Sequence, residues 1–186
     1  MLYTLQIMLY TEHKHTTGKS SRKRLEQTAH LSKHFRCHFR FGGFMENYEK
    51  TGYLTTNFKM FHIIDRQKKD FSFHYHDFNK ILIFIRGDVS YCIEGHSYEL
   101  QPYDVVFVKA GEIHRPVIHS DAVYERIIIY VSPDFISSYQ NENYDLNYCF
   151  QKAQEEKSNV LRMDSFHRSK LYEVTCELEK SFSDAD

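Results

Sequence analysis

In the middle of the chain, short runs of alternating apolar and polar residues are separated by Gly, Pro, Asn or Asp, as expected of strands whose side chains alternate with period two. The pattern predicts strands over residues 58–64, 71–76, 80–85, 89–93, 97–100, 105–108, 114–118 and 126–131. After Lys80 the run Ile81-Leu82-Ile83-Phe84-Ile85 is apolar on both parities, so this strand is expected to be covered on both faces. Glu94-Gly95-His96 reads as a hairpin turn, and Arg86-Gly87-Asp88, Gln101-Pro102-Tyr103-Asp104 and Ala110-Gly111-Glu112 supply further turn chemistry. No helix-length crossover separates the strands, which favours an all-β sandwich or barrel over a parallel α/β sheet.

Beyond Ser132-Pro133 the period changes to helical. A short helix is expected over 134–139, with Pro133 in its first turn, and another over 146–156. A third, over 165–181, places Leu171, Val174 and Leu178 on one face, with Asp164 or Ser165 as N-cap.

Composition adds one core's worth of material and an asymmetry. With 186 residues, 41% of them hydrophobic, the chain suits one domain with appendages. Fifteen Phe and fourteen Tyr with no Trp agree with β-structure. Residues 1–44 carry eight Lys/Arg against two acids, whereas the rest carries 16 basic and 23 acidic residues, which argues against extensive duplex contact by the body. The basic run Lys19-Ser20-Ser21-Arg22-Lys23-Arg24, with Arg40 and the aromatics Phe35, Phe39 and Phe41, has the make-up of a nucleic-acid arm. A solvated, poorly ordered extension is the preferred reading, because no second motif element accompanies it. His30, His34, Cys37 and His38 fit no zinc spacing. The compositional break at Met45 suggests that translation starts there, upstream residues being a consequence of start-site choice.

The four cysteines form no CxxC pair or framework and read as reduced thiols of a cytoplasmic protein. The apolar opening decapeptide lacks a basic flank and falls well short of the roughly 20 residues a spanning helix needs, so no membrane partner is expected.

The candidate chemistry lies between Asp70 and Pro116. His74 and His76 share a face if the backbone is extended, and a barrel could bring His114 opposite them. Three imidazoles with an open position would suit a divalent Zn, Fe or Mn ion. His62, His96, His119 and His167 read as ordinary structural or surface residues, and Asp77 and Glu112 as turn or surface groups. No nucleophile–base arrangement is visible, so no catalytic residue is expected.

His74-Tyr75-His76, Gly87 and Gly111-Glu112-Ile113-His114 resemble the two motifs of the cupin superfamily, in which two His and a Glu join a later His. More closely, Phe73 through Phe78, Ile93 through Leu100, Gly111 through Pro116 and Tyr124-Glu125-Arg126 resemble the N-terminal effector-binding domain of AraC-type transcription regulators. The resemblance implies a mainly β, cupin-like double-stranded β-helix (jelly-roll) barrel followed by C-terminal α-helices. It departs from the cupin pattern at Lys80, where a metal-binding Glu is implied, and at Ala110, where Pro is favoured. An ammonium in place of a carboxylate disfavours a tightly held metal, so no cofactor is expected. Lys80 would instead attract a carboxylate, phosphate or polyol, with His74, His76 and His114 as hydrogen-bond partners and Leu82 and Phe84 as apolar floor.

The organisation expected is a basic extension (1–44), a barrel (45–135) and a helical region (136–186) leading to a DNA-binding domain beyond Asp186. The function expected is non-enzymatic: a sensory module for a small effector, such as a sugar or sugar acid. The resemblance implies DNA contact only through the following helix-turn-helix domain and homodimerisation through the C-terminal helices. The alternative is a stand-alone metal-dependent cupin enzyme of isomerase or dioxygenase type.

Overall fold

A computed structural model describes residues 48–66, 69–140, 145–163 and 165–183. The expectations placed on residues 1–44, on the Met45 start and on an Asp164 cap lie outside these residues. The described chain falls into two compact units that meet in sequence between Arg162 and Met163.

The first unit is built of strands β1 (Glu49–Lys50), β2 (Phe58–Asp65), β3 (His74–Tyr75), β4 (Asn79–Arg86), β5 (Val89–Ile93), β6 (His96–Glu99), β7 (Val105–Val108), β8 (His114–Ile118) and β9 (Tyr124–Val131). Helices α1 (Pro133–Ser138) and α2 (Tyr148–Glu155) follow, and then β10 (Val160–Leu161). The strands form two five-stranded sheets, ordered β1-β3-β8-β5-β6 and β10-β7-β4-β9-β2, with every pairing antiparallel except β1 with β3.

β4 is the spine of the second sheet. Its residues from Asn79 to Phe84 are all buried, as the double-parity apolar run predicts. Leu82 and Phe84 join Val89, Tyr91, Ile93, Val106, Val108, Ile118, Tyr124 and Ile128 in the core between the sheets. On the other face Phe107 meets Phe150 of α2 edge-on, with ring centroids 5.7 Å apart.

Two turns depend on glycine. Glu94 and Gly95 link β5 to β6 with φ of 46° and 79°, the paired positive angles of a two-residue hairpin. Gly87 has φ of 145° between β4 and β5, and a Cβ there would stand 3.3 Å from the Tyr124 backbone.

β10 falls between the helices expected over 146–156 and 165–181 and extends the second sheet through Val160 opposite Val106 and Leu161 opposite Val105. Side chains pin this two-residue strand at both ends. Asn159 donates to the Phe107 carbonyl (2.9 Å), and Arg162 makes two bonds to buried Asp104 (3.0 and 2.8 Å). The six-residue strand expected over 71–76 forms a ladder only at His74–Tyr75.

The second unit contains helix α3 (Ser165–Ser183), in which Leu171, Thr175 and Leu178 are buried and Val174 is half-buried. Among the described residues no helix is long and apolar enough to cross a membrane.

Candidate functional site

Register places the groups that face a cavity of about 440 Å³ between the sheets. On β4 and β9, Lys80 pairs with Tyr130, Leu82 with Ile128 and Phe84 with Arg126, so residues of one parity line one wall. Lys80, Leu82, Tyr130, Ile128 and Arg126 all face the cavity, whereas Phe84 is fully buried in the core beside it. The opposite sheet contributes His74, His76, Tyr91 and Pro116, and the β1 edge contributes Glu49, Thr51 and Gly52. The volume lies within the range of small-molecule pockets.

The three histidines anticipated from sequence do meet. His74 of β3 sits directly across from His114 of β8, with ring centroids 4.5 Å apart, and His76 lies 5.1 and 4.9 Å from His74 and His114. One ring nitrogen from each lies within 4.8 Å of the other two. The backbone sets their orientation. His74 Nδ1 donates to the Ser72 carbonyl (2.8 Å), His76 Nδ1 to that of Thr51 and His114 Nδ1 to that of Glu112 (2.9 Å). A carbonyl can only accept, so each Nδ1 carries the proton and each Nε2 keeps a lone pair. His76 Nε2 and His114 Nε2 are buried with no hydrogen-bond partner. Burial holds the rings neutral: it lowers His74, takes His76 to about 4 and His114 to about 2, with the Lys80 charge acting in the same direction.

Lys80 is buried at 6% exposure, and its Nζ donates to the Tyr91 hydroxyl at 2.7 Å. Burial, with the Arg126 charge behind it, lowers its pKa from 10.5 to about 7. Burial also pushes the Tyr91 phenol well above its ordinary range, so Tyr91 stays protonated. Lys80 therefore stands where an ammonium was anticipated, but as a group that readily gives up its charge.

At the far end of the wall, buried Arg126 bonds Asp65 at 2.6 Å, donates to the Tyr124 carbonyl (3.1 Å) and stacks over the Tyr124 ring at 4.0 Å. Tyr91 and Arg126 were not singled out as site residues from sequence. Their signal was parity: Arg126 precedes Ile128 and Tyr130 on one face, and Tyr91 lies between Val89 and Ile93. The acids Asp77 and Glu112 take structural roles. Asp77 pairs with Lys50 on the surface, and Glu112 accepts from the Lys109 backbone (2.8 Å) and from Asn159 (3.2 Å).

Two sheets enclose a cavity that receives polar groups from both, the lay-out of a small-molecule pocket in a mainly β fold. The chain belongs to the family of AraC-like ligand binding domains, whose model matches residues 57–168. No curated protein matches the chain.

Similar solved structures include cupins. A Cupin 2 conserved barrel domain protein from Salinispora arenicola is 18% identical, over 47% of this chain and 76% of its own, with a TM-score of 0.38. A cupin protein from Bacteroides fragilis is 20% identical, over 55% and 94%, with a TM-score of 0.36. An RmlC-like cupin with a double-stranded β-helix fold from Methanocaldococcus jannaschii is 18% identical, over 42% and 74%, at a TM-score of 0.36.

The three histidines could hold a metal ion: each Nδ1 is bound to a backbone carbonyl, and the Nε2 atoms of His76 and His114 are buried without a partner. Lys80 adds no anionic donor to this set.

Proposed function

We propose that this chain is the effector-sensing module of an AraC-type transcription regulator, acting in the cytoplasm on DNA through a helix-turn-helix domain carried beyond this segment. The observation that carries the reading is the cavity itself, in which buried hydrogen-bonding groups from both sheets converge beside apolar Leu82 and Ile128 inside a ligand-binding family domain. Neutral imidazoles and the Lys80–Tyr91 pair offer donors and acceptors that suit a polyhydroxylated ligand, a sugar or sugar acid. Such a ligand switches transcription only by binding one arrangement of the regulator better than another. Homodimerisation through the C-terminal helices would give that arrangement its readout.

A thermal-shift screen of sugars, sugar acids and related metabolites tests the reading. At least one compound is expected to raise the Tm in proportion to the logarithm of its concentration above Kd. His76→Ala is expected to abolish the shift, and a panel with no stabilising member would count against it.

The orphaned Nε2 atoms favour a second reading, a metal-dependent cupin enzyme. His74, His76 and His114 would hold a first-row divalent ion, which supplies Lewis-acid or redox chemistry when bound. Metal analysis of protein purified without chelator decides it: a stoichiometric ion, lost in His114→Ala, supports the enzyme, and a metal-free protein refutes it.

A further inference from the structure

We propose that Lys80 is a nucleophile that captures a small aldehyde or ketone as a reversible imine, with Tyr91 relaying the proton, so that the effector is a carbonyl compound. The inference rests on the effector-pocket reading and names the ligand class of that pocket.

Lys80 lacks a counter-ion among the described residues, and the Tyr91 hydroxyl at 2.7 Å is its hydrogen-bond partner. A buried ammonium without a counter-ion is costly, so the amine is driven towards its neutral form, whose nitrogen lone pair is available. Lys80 lines the cavity beside Leu82 and Ile128, with His74, His76, Arg126, Glu49 and Asp70 among the other charged or titratable groups around it, and the cavity has room for a molecule of a few carbons. A desolvated lysine without a counter-ion is a usual setting of an imine-forming residue.

Tyr91 completes the arrangement. Its oxygen accepts from Lys80, which leaves its own proton free to be donated to a ligand. A ligand carbonyl at the Lys80 nitrogen would bring its oxygen within reach of that proton. In the first step the Lys80 lone pair forms the C–N bond as the carbonyl π bond breaks. The Tyr91 proton goes to the new alkoxide, and the ammonium proton returns to Tyr91. In the second step the C–O bond breaks, the hydroxyl leaves as water with the proton relayed from nitrogen, and the C=N bond forms. No oxidant or reductant takes part. Lys80 lies on the wall that also carries Arg126, so loss of the lysine charge relieves repulsion with the guanidinium, which supports the neutral amine.

Glyceraldehyde with sodium cyanoborohydride at neutral pH tests the proposal in the wild-type chain, because hydride reduction fixes the imine as a secondary amine readable by peptide mass mapping. Lys80 is expected to label at least about tenfold faster than an exposed lysine such as Lys59, since an ordinary lysine is almost wholly protonated at that pH. Tyr91→Phe is expected to slow Lys80 labelling and leave Lys59 labelling unchanged. Labelling of Lys80 no faster than that of Lys59 overturns the imine, and an unchanged Lys80 rate in Tyr91→Phe overturns the proton relay. If Lys80 stays unlabelled while a compound from the thermal-shift panel still stabilises the protein, the covalent step fails and the effector pocket stands. If neither occurs, both fail.

Discussion

At one end of the cavity wall the Arg126 guanidinium meets Asp65 at 2.6 Å and rests on the Tyr124 ring, whereas at the other end Lys80 meets a phenol. The two positions lie four residues apart in β9 register, about 13 Å of strand. Both cations are buried to a similar degree, at 6% exposure. Their partners differ because their chemistry differs. A guanidinium cannot shed its proton in a protein, so burying it requires a fixed anion. An ammonium can, so Lys80 is tolerated beside a neutral hydroxyl at the expense of its charge. The Arg126 end is a structural clamp between β2 and β9, and the Lys80 end is the chemically adjustable one.

The sharpest way to break this contrast is to remove the anion. Asp65→Ala leaves the Arg126 charge buried with, among the described residues, the Tyr124 carbonyl and ring as partners. Full burial of an unpaired charge costs 3–5 kcal/mol; because Asp65 is nearly half exposed, a loss of about 2 kcal/mol is expected, read by urea denaturation at neutral pH. A loss below about 0.5 kcal/mol would mean that water entering the cavity solvates the guanidinium, and the two ends would then be alike.

Lys80→Met should do the opposite. Methionine fills a similar volume without the desolvation penalty, although it leaves the Tyr91 hydroxyl without its donor, which offsets roughly 1 kcal/mol. A net gain of about 1–2 kcal/mol at pH 7 is expected. The pH dependence gives the signature. The Lys80 pKa is about 7 in the fold and 10.5 when unfolded, so between these values the unfolded chain binds more protons and wild-type stability rises with pH. The penalty is complete below about pH 7 and gone above about 10.5, so the gain from Lys80→Met should shrink as pH rises through that window. A gain independent of pH would show that Lys80 keeps its ordinary pKa.

The asymmetry of the wall was only half legible in the sequence. Period-two alternation is a local signal, and it placed β4, β5, β7, β8 and β9 and put Lys80, Leu82 and Phe84 on one parity. The Glu94-Gly95 hairpin was equally local. The convergence of His74 on His114 depends on a β3–β8 pairing across forty residues, for which alternation gives parity but no register. For the same reason Tyr91 could not be matched to Lys80, nor Asp65 to Arg126, before the strands were paired. β1 and β10 have two residues each, too few to show a period, and β10 is held by Asn159 and Arg162 through side-chain bonds that no apolar pattern reports.

A third cation supplies the control for reading the first two. Lys50 also pairs with an aspartate, Asp77, but on the surface, and its pKa is raised by that hydrogen bond where burial lowers that of Lys80. Water already solvates both partners there, salt screens them, and ordering two long side chains opposes the attraction. Asp77→Asn is therefore expected to leave the Tm unchanged within error, even though the ion pair is as short as the one at Arg126. A clear drop would mean that the pair fixes the β1 edge, where the Thr51 carbonyl orients His76 and Gly52 borders the cavity. That outcome would move Lys50 from the surface into the construction of the site, and the contrast between the two ends of the wall would then have to include its rim.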